Sequence, residues 1–214
     1  MRILIAAATA AEIAGYPKSN PNLDFLVTGI GVPSALYRLQ QVLSTQTYGC
    51  VIQAGLAGTY DENSQPIGSV ALVTADCFAD IGFEENGNFE PLHASALYRS
   101  EHTQPESAWL YNPNPLLASS GLPAVRAITV NKVSDAALQL SQMQQHFSPV
   151  LESMEGACLH WVGNRMQVPY LQLRSVSNRA GVRNKAEWDI PGALRSLHRE
   201  LDRLVNVLMP GVTY

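Results

Sequence analysis

The chain has 214 residues, of which 46% are hydrophobic and 15% charged, with a net charge of -4 at pH 7. That is enough apolar material for one domain over 1–214 with a complete core. It argues against nucleic-acid and membrane partners, because there is no basic cluster and no apolar run long enough to cross a bilayer.

The first predicted element is a strand over Arg2–Ala8. The apolar start Met1–Ala11 carries Arg2, runs into Glu12 and lacks the layout of a secretory leader. Further strands are predicted at Phe25–Thr28, Cys50–Ala54, Ser69–Thr74, Ala124–Val130 and Tyr170–Ser177. Their near-continuous apolar character suits strands covered on both faces. Helical spacing falls between them, at Pro33–Leu43, Asp135–Phe147, Met154–Met166 and Gly192–Leu208. In the third helix Ala157, Cys158, Trp161 and Val162 are expected to face inward. Pro191 stands near the start of the fourth, where proline is tolerated. Phe83–Pro115, including Leu97-Tyr98-Arg99, has no sustained period and is expected to form long loops with a short element or two.

This alternation implies an α/β layered protein with a mixed or mostly parallel sheet, whose ligands gather near the carboxyl ends of strands. Cys50, Cys77 and Cys158 have no metal-ligand spacing. Their odd number and the absent leader fit a reducing cytoplasm.

The chemistry-bearing positions lie at the strand ends. Met154 and Glu155 open an apolar helix, and a carboxylate there can accept hydrogen bonds from both hydroxyls of a ribose while the thioether packs on the sugar. The strand ending at Ser177-Asn178 follows about twenty residues later and can aim a polar group at a base. Glu12 follows the first strand. Gly55, Leu56 and Ala57 are expected to form a pocket loop, because glycine lets backbone approach a ligand closely. Glu152 is given no catalytic role.

In order and spacing these segments resemble the nucleoside phosphorylase and nucleosidase superfamily, and within it the futalosine hydrolases, nucleosidases of one menaquinone pathway. The resemblance runs through Glu12, Thr28–Gly31, Gln53–Gly58, Thr129–Asn131, Glu155, Arg174–Asn178, Arg183-Asn184 and Trp188–Pro191. It implies a three-layer α/β/α sandwich around a twisted, partly barrel-like mixed sheet. It also implies cleavage of an N-glycosidic bond without metal or cofactor, and a homo-oligomer.

By the same resemblance Glu12 activates water, Met154 and Glu155 hold the ribose, and Val133 or a neighbour contacts the base. Adenine-specific relatives carry Asp where this chain has Asn178. An amide can donate to N7 and O6 of a 6-oxopurine, so futalosine, a 5'-modified inosine, is the expected substrate, with hypoxanthine leaving. Ser177 either orients the Asn178 amide or reaches the base. In the phosphorylases an Arg and a Ser hold phosphate, whereas Gln53 and Leu56 stand here. Water is therefore the expected nucleophile. Arg183, Arg179 and Arg99 are candidates for the substrate's benzoate. The competing readings are an adenine nucleosidase acting on methylthioadenosine, S-adenosylhomocysteine or aminofutalosine, a purine nucleoside phosphorylase, and a non-catalytic nucleoside-binding protein.

Overall fold

The computed structural model describes residues 1–14, 20–95 and 108–209. Ten strands are found there: β1 (Ile3–Ala7), β2 (Leu23–Val27), β3 (Cys50–Thr59), β4 (Val70–Asp76), β5 (Gly82–Glu85), β6 (Asn88–Pro91), β7 (Leu110–Tyr111), β8 (Ala124–Thr129), β9 (Leu151–Ser153) and β10 (Tyr170–Arg179). The α-helices are α1 (Val32–Leu43), α2 (Leu116–Ser119), α3 (Ala137–Phe147), α4 (Gly156–Met166) and α5 (Ile190–Leu208).

All strands except the β5–β6 hairpin join one mixed sheet. β3 and β10 pair in parallel, β10 and β4 antiparallel, β4 with β8 and β8 with β9 in parallel, and β9 returns antiparallel to β3. The sheet therefore closes on itself through β3, β10, β4, β8 and β9. From β3 it continues outward through β1 to β2.

Alternation along β1 explains the layers. Ile3 and Ile5 pack with Leu197, Leu201, Leu204 and Val205 of α5. Leu4 and Ala6 pack with Ala35 and Leu39 of α1 and with Leu159 and Val162 of α4. With both faces covered, neither can carry polar residues. A smaller cluster of Ala57, Ala71, Val73, Ala127, Leu151 and Val176 joins the strands of the closed part.

Several expectations need correction. Gly55, Leu56, Ala57 and Gly58 are not a loop. They continue β3 and pair with Arg174, Ser175, Val176 and Asn178 of β10. Trp161 does not face inward. It is 37% exposed, with the Arg165 guanidinium stacked 3.3 Å from its ring centroid. The β9 strand was not anticipated, and the third helix starts at Gly156 with Met154 and Glu155 outside it. Within Phe83–Pro115, expected as long loops with a short element or two, lies most of the β5–β6 hairpin, turned by Asn86 and Gly87 at positive φ.

The three cysteines are buried free thiols. No helix among the described residues is long and apolar enough to cross a membrane.

Beneath α4 lies a buried polar knot. Asp76 is wholly buried and accepts from Gln172 Nε2 (2.7 Å), Thr129 Oγ1 (3.0 Å) and the Cys77 amide (2.8 Å). Thr129 Oγ1 in turn accepts the Ala157 amide of α4 at 2.8 Å. Burial pushes the Asp76 carboxyl up to about 7, against the pull of Arg174 and its hydrogen-bond donors. Its folded pKa thus exceeds its unfolded value, so the folded chain holds the extra proton between about 3.8 and 7. Its contribution is fully present below that window and is lost as pH rises through 7. Unfolding free energy from urea titrations is expected to fall across the window by on the order of a few kcal/mol on this account. Asp76→Asn is expected to flatten that slope. The Gln172 Oε1, which has no hydrogen-bond partner among the described residues, can turn to accept from the new amide. An unchanged slope in the variant would show that Asp76 does not titrate there.

Candidate active site

The carboxyl ends of β1, β3, β9 and β10 open into one cavity of about 540 Å³. That is ample for a nucleoside-sized ligand. Its lining includes Glu12, Leu56, Ala57, Val133, Met154, Glu155, Ser177, Asn178 and Arg183.

Glu12 stands on a 3-10 turn, Ala10–Ile13, just after β1. Its Oε2 accepts the Thr9 hydroxyl (2.9 Å) and the Thr9 amide (2.8 Å), the latter being the Glu12 half of a capping box. Its Oε1 accepts the Leu56 amide at 3.1 Å. From α5, a His198 ring nitrogen lies 3.1 Å from the Glu12 carbonyl. The side chain is buried, so its carboxylate is held in a fixed direction with few waters to screen it.

Glu155 is the residue before α4. Its Oε1 accepts the Gly31 amide at 2.8 Å, and its carbonyl accepts Gln53 Nε2 at 3.1 Å. The turn that presents Gly31 has positive φ at Gly29 and Gly31, a conformation glycine adopts without steric cost. Between them Ile30 forms part of the cavity wall. Burial raises the Glu155 carboxyl above its ordinary pKa, and the Arg174 charge and the Gly31 amide oppose this.

A register shift between Val176 and Asn178 in the pairing with β3 brings both Ser177 and Asn178 to the lining. Ser177 Oγ donates to Asn178 Oδ1 at 2.8 Å, and Asn178 Nδ2 donates to the Arg179 carbonyl at 2.8 Å. The amide is therefore locked with its NH2 side over Gly58. A Cβ placed on Gly58 would stand 3.3 Å from Nδ2.

Three expected positions fall elsewhere. Arg179, the last residue of β10, points away from the cavity to Glu62 (3.4 Å) and Glu187 (3.5 Å) on the charged surface. Gly55 lies below the cavity rather than on its wall. Arg99 lies outside the described residues. Arg183 does reach the cavity, its guanidinium 5.4 Å from the Trp188 ring centroid.

Two residues with no assigned role also belong here. Arg174 is 2% exposed. Its Nη1 donates to the Leu56 carbonyl at 3.4 Å, while Nε and Nη2 have no hydrogen-bond partner among the described residues. A Cβ on Gly55 would overlap its guanidinium and lie 3.2 Å from Glu12 Oε1. This buried cation therefore sits beside Glu12, and its field also reaches Glu155 and Asp76. The sequence signal was present, since a charged residue inside an apolar strand needs buried partners. The second is Glu152, buried and on the cavity wall. Three carboxylates and a locked amide on one cavity, with a buried guanidinium beside Glu12, suit stabilisation of a sugar cation and a departing base.

No family model matches the chain. A curated futalosine hydrolase from Acidothermus cellulolyticus is 30% identical over 203 residues, covering 90% of this chain and 82% of that protein. One from Thermus thermophilus is 31% identical over 189 residues, covering 85% and 80%. Among solved structures, the futalosine hydrolase of Helicobacter pylori superposes with a TM-score of 0.76 at 16% identity, covering 96% of this chain and 97% of the other. With a likeness to curated relatives that runs over 85–90% of its length at 30–31% identity, the chain belongs to the futalosine hydrolase family.

Proposed function

We propose that the chain hydrolyses the N-glycosidic bond of futalosine and releases hypoxanthine, with water as the nucleophile. The observation that carries this reading is the meeting of Glu12, Glu155 and Asn178 in one cavity, where the two positions that would hold phosphate are spent otherwise. Gln53 is buried and ties down the Glu155 carbonyl. Leu56 offers an apolar side chain to the cavity and its amide to Glu12.

In the proposed reaction Glu155 accepts hydrogen bonds from the ribose hydroxyls through Oε2, while Met154 packs on the sugar. Glu12 orients a water and takes its proton as the glycosidic bond breaks. Positive charge developing on the sugar is stabilised by both carboxylates. Arg174 balances their charge in the resting enzyme. Asn178 Nδ2 donates to the purine edge and stabilises the negative charge of the leaving base, whose proton comes from solvent. Val133 contacts the base. Arg183 is the candidate cation for the benzoate. The assembly proposed by resemblance is a homo-oligomer in the cytoplasm.

The test is base release in phosphate-free buffer, followed by chromatography, with futalosine and 5'-methylthioadenosine side by side. Hypoxanthine from futalosine with methylthioadenosine untouched is the expected result. Adenine release instead would overturn the base assignment, and a strict phosphate requirement would overturn hydrolysis. Asn178→Asp is expected to shift relative kcat/KM toward the 6-amino substrate by about tenfold or more, the size of one charge-assisted hydrogen bond. No gain on the 6-amino substrate would remove Asn178 from the discrimination.

A further inference from the structure

We propose that Glu152 accepts the N1–H of the 6-oxopurine, so that base preference is set by a slot between Glu152 and Asn178 rather than by Asn178 by itself. This deepens the hydrolase reading above and rests on it.

The placement comes from strand register. Gly58 of β3 pairs with Glu152 of β9 on one side and with Asn178 of β10 on the other. Directly paired residues project to the same face of a sheet. Glu152 and Asn178 therefore stand on one face, two strand spacings or about 10 Å apart at their Cα atoms, and both line the cavity. Gly58 between them has no side chain, which leaves a slot whose floor is backbone. A planar base edge fits between two such groups.

The two walls have complementary chemistry. Asn178 presents Nδ2, since Ser177 occupies its Oδ1. Glu152 is buried, and its Oε2 accepts the Tyr60 hydroxyl at 2.8 Å. Its Oε1 accepts no hydrogen bond from the described residues. One oxygen is thus anchored while the other is open to the cavity.

A 6-oxopurine shows acceptors at N7 and O6 and a donor at N1. A 6-aminopurine shows a donor at the 6-position and a lone pair at N1. An ionised carboxylate can only accept, so it rewards the first pattern and repels the second. Burial, the largest cause, and the charge of Asp80 raise the Glu152 carboxyl above its ordinary pKa, and the Tyr60 hydroxyl and Arg183 hold it down against them. Tyr60 and Arg183 are therefore part of the device. The locked Asn178 amide can only donate to the base, and the Glu152 carboxylate can only accept from it.

The inference is tested with free bases as competitive inhibitors of futalosine cleavage, comparing hypoxanthine, adenine and 1-methylhypoxanthine. The wild type is expected to bind hypoxanthine about tenfold or more tighter than the other two, as for one charge-assisted hydrogen bond. In Glu152→Gln the hypoxanthine inhibition constant is expected to rise about tenfold, while adenine binds as well or better because the amide can donate to N1. Tyr60→Phe, which leaves the carboxylate in place but unanchored, is expected to reduce the hypoxanthine-to-adenine ratio about threefold. This variant decides the matter if Glu152→Gln does not fold. Equal losses for both bases, or an unchanged ratio in the folded variants, would overturn the role of Glu152 while leaving futalosine cleavage standing. If the wild type releases no hypoxanthine from futalosine at all, the hydrolase reading has failed, and that result is separate.

Discussion

Glu12→Gln is expected to lower kcat for base release by about 10³-fold, within the range for removal of a positioned general base. The substitution keeps the size of the side chain and removes its ability to take a proton. It also disturbs the resting structure in a calculable way. The Glu12 carboxylate accepts three donors, the Thr9 amide, the Thr9 hydroxyl and the Leu56 amide. An amide can face its oxygen to Thr9 or to Leu56, not to both. The stability cost is therefore about one hydrogen bond, roughly 1 kcal/mol. Single-turnover release of hypoxanthine, thermal melting and equilibrium binding of futalosine separate the two effects. Binding and melting close to wild type with a collapsed rate is the expected pattern. A rate within tenfold of wild type would remove Glu12 from proton transfer.

The second large effect comes from a single methyl group. In Gly55→Ala the new Cβ would overlap the Arg174 guanidinium and press toward Glu12 Oε1, 3.2 Å from the ideal Cβ position. Arg174 is a long side chain whose end could give way in open space. Here it is 2% exposed, and Leu56 takes its one hydrogen bond among the described residues. The overlap is expected to destabilise the fold by about 1–3 kcal/mol, the range for overpacking a filled core. Because Arg174 and Glu12 move together, kcat is expected to drop about 100-fold as well, the cost of a displacement near 1 Å at a reacting group. Urea unfolding and steady-state kinetics at a temperature where the variant stays folded would measure both. Wild-type kinetics in a folded Gly55→Ala chain would show that the guanidinium does not set the position of Glu12.

These glycines also show where sequence reading stopped. Strands buried on both faces announce themselves as apolar runs, so β1, β3, β4, β8 and β10 were legible in outline, as were α1 and α5 from their stripes. Glycine within a strand carries the same local signal as glycine in a turn. Gly55 leaves room for a guanidinium more than a hundred positions away in the chain, and Gly58 leaves room beside Asn178. Nothing within a dozen residues of either distinguishes a loop from a strand with a neighbour to admit. The three residues of β9 are too few for any period to register. Glu152 therefore looked like an incidental charge before a motif, although pairing with β3 turns it into the cavity. Trp161 failed for the opposite reason, because an apolar residue on a helix was assigned to the core when Arg165, one turn later, covers it instead. The residues gathered in the cavity, Glu12, Met154, Glu155, Ser177 and Asn178, were legible because their spacing as a set carried the family likeness.

The Gly31 amide meets Glu155 Oε1, and the same turn carries Ile30 into the cavity wall. The wall at that point and the carboxylate behind it are two ends of one lever. With Glu155 in its proposed role, an outward swing of the turn would release the carboxylate, and a sugar that orders Glu155 would draw the turn inward. By linkage the free energy of the two events is shared, so a substitution that loosens the entrance also weakens the hold on the sugar.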